Sequence, residues 1–435
     1  MTTNNKNIDK QGKKLLNVPN LRFPEFEGEW DRYKVSDLLD FYSTNSLSWE
    51  QLEYDTNQMF NLHYGLIHVG LPTSLNLNKG KLPNIKKEFL PKKYELCKEG
   101  DIAFADASED TNDVAKAIEF TAIGNKQVVC GLHTIHGRDN HNITIVGFKG
   151  YAFSSPTFHN QIKRIAQGTK IYSISSKNFS ECFIGIPSKE EQSKISRLFT
   201  LIDERIATQN RIIEDLKAKR KFMLEQLFCL PKEHTPKLRL KGMAGDWHKV
   251  RLCDIVERVT ERNKDNTCTR ILTIAAQYGL IDQQEFFNKQ IASSNLTTYY
   301  LLRKGDFAYN KSYSGDYPWG AVKRLDNYKE GVLSSLYVCF RPNKNIDSDF
   351  LCHYFESTKW YRGISEISGE GARNHGLLNI SVDDYFNTLH RIPSIEEQRQ
   401  ISKILNTITH KIKTEESIFD KFQKQKAYLL KEMFV

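Results

Sequence analysis

The sequence predicts an α+β protein in which two mixed α/β globular domains alternate with two long helices. The helices are expected to pair with each other within an internal repeat. Three observations carry this. Ile186-Pro187-Ser188-Lys189-Glu190-Glu191-Gln192 returns as Ile392-Pro393-Ser394-Ile395-Glu396-Glu397-Gln398, 206 residues later. Each copy runs on into a long helical pattern, to Phe228 and to Phe434. The two halves also open alike, with Pro19-Asn20-Leu21-Arg22-Phe23 and Gly28-Glu29-Trp30 matched by Pro236-Lys237-Leu238-Arg239-Leu240 and Gly245-Asp246-Trp247 at an offset of 217. Recurrence at constant spacing marks a duplication.

The helices come first because they fix the architecture. Alternating steps of four and three residues pick out Ile195, Phe199, Ile202, Ile206, Ile213, Leu216, Met223 and Leu227 in the first copy, interrupted by Gln209 and Arg220. The second gives Ile401, Leu405, Ile408, Ile412, Phe419, Phe422, Leu429 and Met433, interrupted at matching places by Glu415 and Lys426. An apolar stripe recurring every 3.5 residues on average is the seam that two supercoiling helices bury. Ser188 and Ser394 stand as N-caps with Glu191 and Glu397 three residues on, the spacing of a capping box. A helix of about 40 residues is roughly 60 Å long.

In chain order the expected segments are a polar tail (1–18), a first globular domain (19–187), the first long helix (188–229), a proline-bearing linker (230–235), a second globular domain (236–393) and the second long helix (394–435). Inside the domains, Lys98-Glu99-Gly100-Asp101-Ile102-Ala103-Phe104 is echoed by Arg303-Lys304-Gly305-Asp306-Phe307-Ala308-Tyr309, a turn followed by a strand. Val128-Val129, Ile143 to Val146, Val332-Leu333 and Leu336 to Phe340 read as further strands. Shorter helices are expected around 158–166 and 350–361. A last strand near Ile174-Ser175 and Ile380-Ser381 then leads into each long helix.

Composition narrows the function classes. The 435 residues are 39% hydrophobic and 11% aromatic, with room for two to four domains. No apolar run reaches membrane-spanning length and the opening residues lack a signal-peptide core, so a cytoplasmic protein with no membrane partner is expected. The eight cysteines form no Cys-x-x-Cys pair, which argues for free thiols and against structural zinc; no metal ligands are assigned. Walker A, His-Glu-x-x-His and Gly-x-Gly-x-x-Gly motifs are absent, as is the Asn/Asp-Pro-Pro-aromatic tetrad of amino-methyltransferases, so no catalytic residue is assigned. His133, His136 and His141 read as surface residues around a turn at Gly137-Arg138-Asp139-Asn140, and Asp106 to Asp110 as a solvated acidic loop.

A formal net charge of +9 admits nucleic acid without requiring it. The residues that suit DNA lie in polar loops: Lys170 and Tyr172 in the first half, Lys311, Ser312 and Tyr313 after the second Gly-Asp strand, and Arg373, Asn374 and His375 in a glycine-bounded loop. Arginine on guanine and asparagine on adenine are the bidentate pairings that the major groove rewards, while lysine, serine and tyrosine commonly reach phosphates.

Two variable domains alternating with two helices that open on Ile-Pro-Ser-x-Glu-Glu-Gln resemble the specificity (S) subunit of type I restriction-modification enzymes, from about Pro19 to Val435. The resemblance implies a non-catalytic subunit in which each domain reads one half of a bipartite, asymmetric double-stranded DNA target. The helices would pair as an antiparallel coiled coil about an internal pseudo-twofold, set the spacing and dock two modification (methyltransferase) subunits, joined by two restriction (ATPase and nuclease) subunits. S-adenosylmethionine, ATP and Mg would sit on those partners and none on this chain. The assembly would methylate adenine at N6 and cut unmodified DNA. A stand-alone scaffold or DNA-binding protein spaced by its coiled coil is the other reading of the same pattern.

Overall fold

The fold is described from a computed structural model that covers residues 2–3, 17–56, 58–275, 278–287, 296–312, 315–368 and 376–435. The chain forms two compact units, one of residues 1–210 with 417–435, the other of residues 211–416. Each unit therefore takes one globular part and a portion of both long helices, Lys189–Leu227 and Ile395–Glu432.

The first unit is built on a five-stranded sheet ordered Asp40–Tyr42, Thr134–Arg138, Ile102–Ala105, Ala117–Ala122 and Ser74–Asn76. A second, four-stranded sheet comprises Val128–Cys130, Phe60–Leu62, Asn84–Ile85 and Leu52–Glu53. Strand Ile102–Ala105 is buried along its whole length, as its unbroken apolar run demands. The central core packs Phe104, Phe153, Phe158 and Phe179 against one another and reaches the helices at Ile195, Phe199 and Leu429 and the residues just after the second, Met433 and Phe434. Phe434 meets Trp30, Phe148 and Phe199, with ring centroids 6.1, 6.0 and 5.8 Å away.

The second unit repeats the frame. Its four-stranded sheet runs Val256–Arg258, Val338–Pro342, Phe307–Asn310, Ala321–Arg324, the same order as the first four strands of the first unit's larger sheet. Leu224 and Leu227 of the first helix and Phe228 just after it, with Ile401 and Leu405 of the second, close its core around Trp247, Phe350 and Tyr354.

Within both units the long helices run antiparallel. In the first, Asp203 pairs with Lys426 at 2.6 Å and Arg205 lies over the Phe422 ring. In the second, Lys217 pairs with Glu416 at 2.9 Å and Arg220 donates to the Thr409 hydroxyl at 2.8 Å. Residue numbers fall along one helix as they rise along the other. Each of the sixteen apolar seam positions is buried or half-buried, whereas Leu201, Phe222 and Tyr428, off the comb, are more than half exposed. The 3.5-residue period thus tracks the buried face.

Four local expectations are corrected. Ser188 and Ser394 accept the N–H of Glu191 and Glu397, but the glutamate side chains do not close the box. Glu191 instead forms an ion pair with Arg22, and Glu397 with Arg239, since a buried carboxylate gains more from a guanidinium than from a backbone amide. Residues 143–146 form no strand; the adjacent Gln192 side chain accepts from the Ile145 N–H and donates to the Ile143 carbonyl, so those groups have a partner without a ladder. Residues 134–138 are strand rather than turn, and His136 is fully buried. The last strand comes later than expected, at Phe183–Ile186 and Leu389–Ile392. Ser175 and Ser381 cap short helices whose inward residues are Phe179 and Tyr385.

Candidate nucleic-acid interface

The site is framed by the two Gly-Asp turns. Gly100 and Gly305 take φ values of +86° and +96°, which a side chain disfavours, and the following aspartate turns inward. Asp101 accepts the Lys98 N–H, His136 Nε2 and Arg138 Nε and Nη2, each at 2.8 Å. Asp306 accepts the Arg303 N–H at 2.7 Å and Arg341 Nε and Nη2 at 2.6 and 2.8 Å. Burial alone would raise the Asp101 carboxyl, but the bonds from His136 and Arg138 outweigh it and hold its pKa below the ordinary carboxylate range. In both units an ion pair so pins the start of a central strand, and the strand's far end delivers the loop residues.

At that far end the two units make the same connection. Ala107–Ser108 pairs antiparallel with Tyr172–Ser173, and Ser312 bridges to Leu377. Lys170 lies in the exposed tip of a hairpin closed by two backbone bonds between Gln167 and Ser173, and Tyr172 is half-buried in its returning arm. Gly168 belongs there, because a Cβ would come within 1.9 Å of the Ile171 carbonyl. In the second unit Ser312 is exposed, its N–H bound to Asn310 Oδ1 at 2.9 Å. Lys311 is half-buried and its ammonium donates to the Ile380 carbonyl at 3.3 Å. Tyr313, Arg373, Asn374 and His375 lie outside the described residues. Lys170 with Tyr172, and Lys311 with Ser312, thus occupy equivalent ribbons of the two units.

The chemistry beside the ribbons differs. Next to Ala107 the first unit holds an aromatic cluster that the sequence reading missed. The ring of Tyr64 stands 4.7 Å from His63, 5.7 Å from His68 and 5.1 Å from His133, and Trp49 lies 4.5 Å from His63. His68 Nε2 meets the Ala107 carbonyl at 2.9 Å and His133 Nδ1 meets Asp106 at 3.1 Å, which ties the cluster to the ribbon. Burial, and then the neighbouring His133, hold the His63 pKa below its usual value, so its ring stays neutral in the stack. Trp49 and His133 are nearly half exposed, at 45% and 49%. Rings of this kind offer faces on which bases stack. No spacing signal connects Trp49, Tyr64 and His133; only the fold does.

Of the stretch read as a solvated acidic loop, Glu109 and Asp110 are exposed, and Asp110 caps its own turn by accepting the Asn112 N–H at 2.8 Å; Ala107–Ser108 is instead a strand, and Asp106, 30% exposed, is tied to His133. All eight cysteines are free. Among the described residues, no helix is long and apolar enough to cross a membrane.

Comparison with known proteins supplies the context. Residues 92–218 match the family model for the type I restriction modification DNA specificity domain. Over 287 residues the chain is 23% identical to the MjaVIII specificity subunit of a type I restriction enzyme of Methanocaldococcus jannaschii, covering 62% of this chain and 65% of that relative's length. The crystal structure of a type I restriction-modification S subunit from M. genitalium superposes with a TM-score of 0.54 at 16% identity, over 96% of this chain and 99% of that one. A structure determined for complex assembly and conformational transition of a type I system gives 0.53 at 14% identity, over 92% and 96%.

Proposed function

We infer that this chain, which belongs to the specificity-subunit family of type I restriction-modification systems, is the subunit that reads DNA and has no catalysis of its own. Each globular part reads one half of a bipartite, asymmetric double-stranded target. The two long helices set the separation of the half-sites and dock two modification subunits. Those partners carry S-adenosylmethionine and methylate adenine at N6. Two restriction subunits bring ATP, Mg and cleavage, and the assembly works in the cytoplasm.

The observation that carries this reading is the repetition of one frame with unlike loops. Arg22–Glu191 and Arg239–Glu397, and Asp101–Arg138 and Asp306–Arg341, are the same pairs in the same places. The ribbons they support carry Lys170 and Tyr172 beside an aromatic cluster in one unit and Lys311 and Ser312 in the other. A duplicated scaffold with divergent tips suits two half-sites of different sequence. Lys170 and Ser312 contact DNA directly, with Tyr313, Arg373, Asn374 and His375 completing the second reader. Trp49 and Tyr64 serve the first. Exposed apolar residues of the helices dock the modification subunits, Leu201 and Tyr428 in the first unit and Phe222 in the second.

Methylome sequencing of a host with and without the gene tests this. Loss on deletion of one two-part adenine motif with an unread spacer is the expected result. An unchanged methylome in a host that expresses this chain and a methyltransferase partner would refute the reading.

A further inference from the structure

We propose that Cys97, Cys130 and His136 form a zinc site in the core of the first unit. The Cys97 and Cys130 sulfurs are 3.6 Å apart, and one ligand atom from each of the three residues lies within 4.8 Å of the others. Two sulfurs bound to one zinc at about 2.3 Å in tetrahedral geometry stand about 3.8 Å apart, so little movement separates this arrangement from a loaded one. Cys97 is 6% exposed, Cys130 1% and His136 not at all.

The histidine is prepared for the task. Its Nε2 is held by Asp101 at 2.8 Å, while Nδ1 is buried and makes no hydrogen bond. An orphaned ring nitrogen in a core needs a partner, and a carboxylate on the opposite nitrogen is the usual support of a zinc-bound imidazole. Asp101 is itself paired with Arg138, whose guanidinium also holds the one-third-exposed Glu95, so the buried carboxylate has its counter-charge without drawing on the metal. Two thiolates and a divalent ion then sum to zero, the condition a dry core sets. A groove lined by Asn45, Tyr94 and Glu95 borders Cys130 and provides a way in.

Among the described residues the second unit has no such cluster. On the repeated frame of the second, the position four before the Gly-Asp aspartate is Leu302 and the position two before its arginine partner is Cys339. The proposed site joins separate pieces. Cys130 ends a strand of the smaller sheet, His136 sits in the larger one, and Cys97 precedes the turn between Lys98 and Asp101. A metal here would staple the two sheets behind the aromatic cluster.

The test is elemental analysis of the full chain purified without chelator, together with titration of the metal-free chain by cobalt(II), whose thiolate bonds give a charge-transfer absorption. One zinc per chain and that absorption are expected. Cys130→Ser should lose both, the exposed Cys253→Ser should keep both, and Asp101→Asn should weaken the metal by about 10–100-fold. Metal-free wild-type chain that gives no cobalt–thiolate band, or metal retained in Cys97→Ser and Cys130→Ser, would overturn the proposal. So would a Cys97–Cys130 disulfide found by mass spectrometry in freshly purified protein. The cobalt titration uses wild-type protein and does not depend on a variant folding.

Discussion

Arg22 and Glu191, 169 residues apart, are joined by two bonds of 2.8 and 2.7 Å, with 5% and 1% of their side chains exposed. Arg22 also donates to the carbonyls of Gly28 and Glu27, so one guanidinium fastens the opening of the first globular part to the first turn of the long helix. Arg239 does the same for Glu397, Gly245 and Ala244. Arg22→Ala leaves a buried carboxylate without its partner and should cost about 3–5 kcal/mol in urea unfolding. Arg239, 19% exposed, should cost less on the same change. Equal losses would contradict the burial argument.

The helix seam makes a second test. Ile202→Asp places a charge among Ile195, Phe199 and the second helix, and destabilisation above about 4 kcal/mol is expected, with loss of binding to a two-part site. Leu201→Asp, one residue along and 53% exposed, should leave thermal unfolding almost unchanged and weaken only the association with a modification subunit. Gel filtration with that subunit separates the two outcomes.

Acid should act on the second unit through His390. It is 2% exposed, bonded to Tyr354 and Thr388 at 2.8 Å, and burial lowers its pKa to about 4. The unfolded chain takes up the proton near pH 6.5 and the folded chain only near 4, so stability is full above pH 6.5 and falls across that interval. The loss approaches roughly 3 kcal/mol at its lower end. Thermal melts at pH 7.5 and 5 check it, and His390→Gln should flatten the slope.

On DNA, the two lysines should behave differently. Lys170→Ala should weaken binding evenly across sequences and reduce the salt slope by about 1, as loss of a phosphate contact does. Lys311→Ala removes the tie to the Ile380 carbonyl and should lower the melting temperature as well. Trp49→Ala should weaken DNA binding with the melting temperature held.

Exchange of residues 19–187 for the corresponding part of a relative should change one half of the methylated motif and leave the other intact. Methylome sequencing reads this directly. Changes in both halves would show that the two units do not read independently.

Much of the fold was legible because it is written twice. The helix openings, the Gly-Asp turns and the buried tryptophans at 30 and 247 recur in sequence, and each proved to be a packing or ion-pair position. What stayed hidden depends on contacts across the chain. The Ser188–Glu191 spacing is that of a capping box, yet its carboxylate answers to a guanidinium 169 residues away, which no local pattern records. Residues 143–146 have a strand's composition, but the neighbouring Gln192 side chain takes the hydrogen bonds a ladder would have made. Cys97, Cys130 and His136 lack ligand spacing, and His136 looked exposed because of the polar residues around it, not because of its place in a central sheet, whereas His133 and His141 are exposed as expected.

The packing of Phe434 against Trp30, Phe148 and Phe199 also bears on synthesis. The first unit's core contains Leu429, Met433 and Phe434, so most of it must leave the ribosome and wait for residues that emerge more than 200 positions later. The second unit is one contiguous stretch, 211–416, and has no such delay. Translation therefore completes the later unit first, the reverse of the usual order, and a nascent chain halted before residue 429 carries an unfinished apolar core for chaperones to cover.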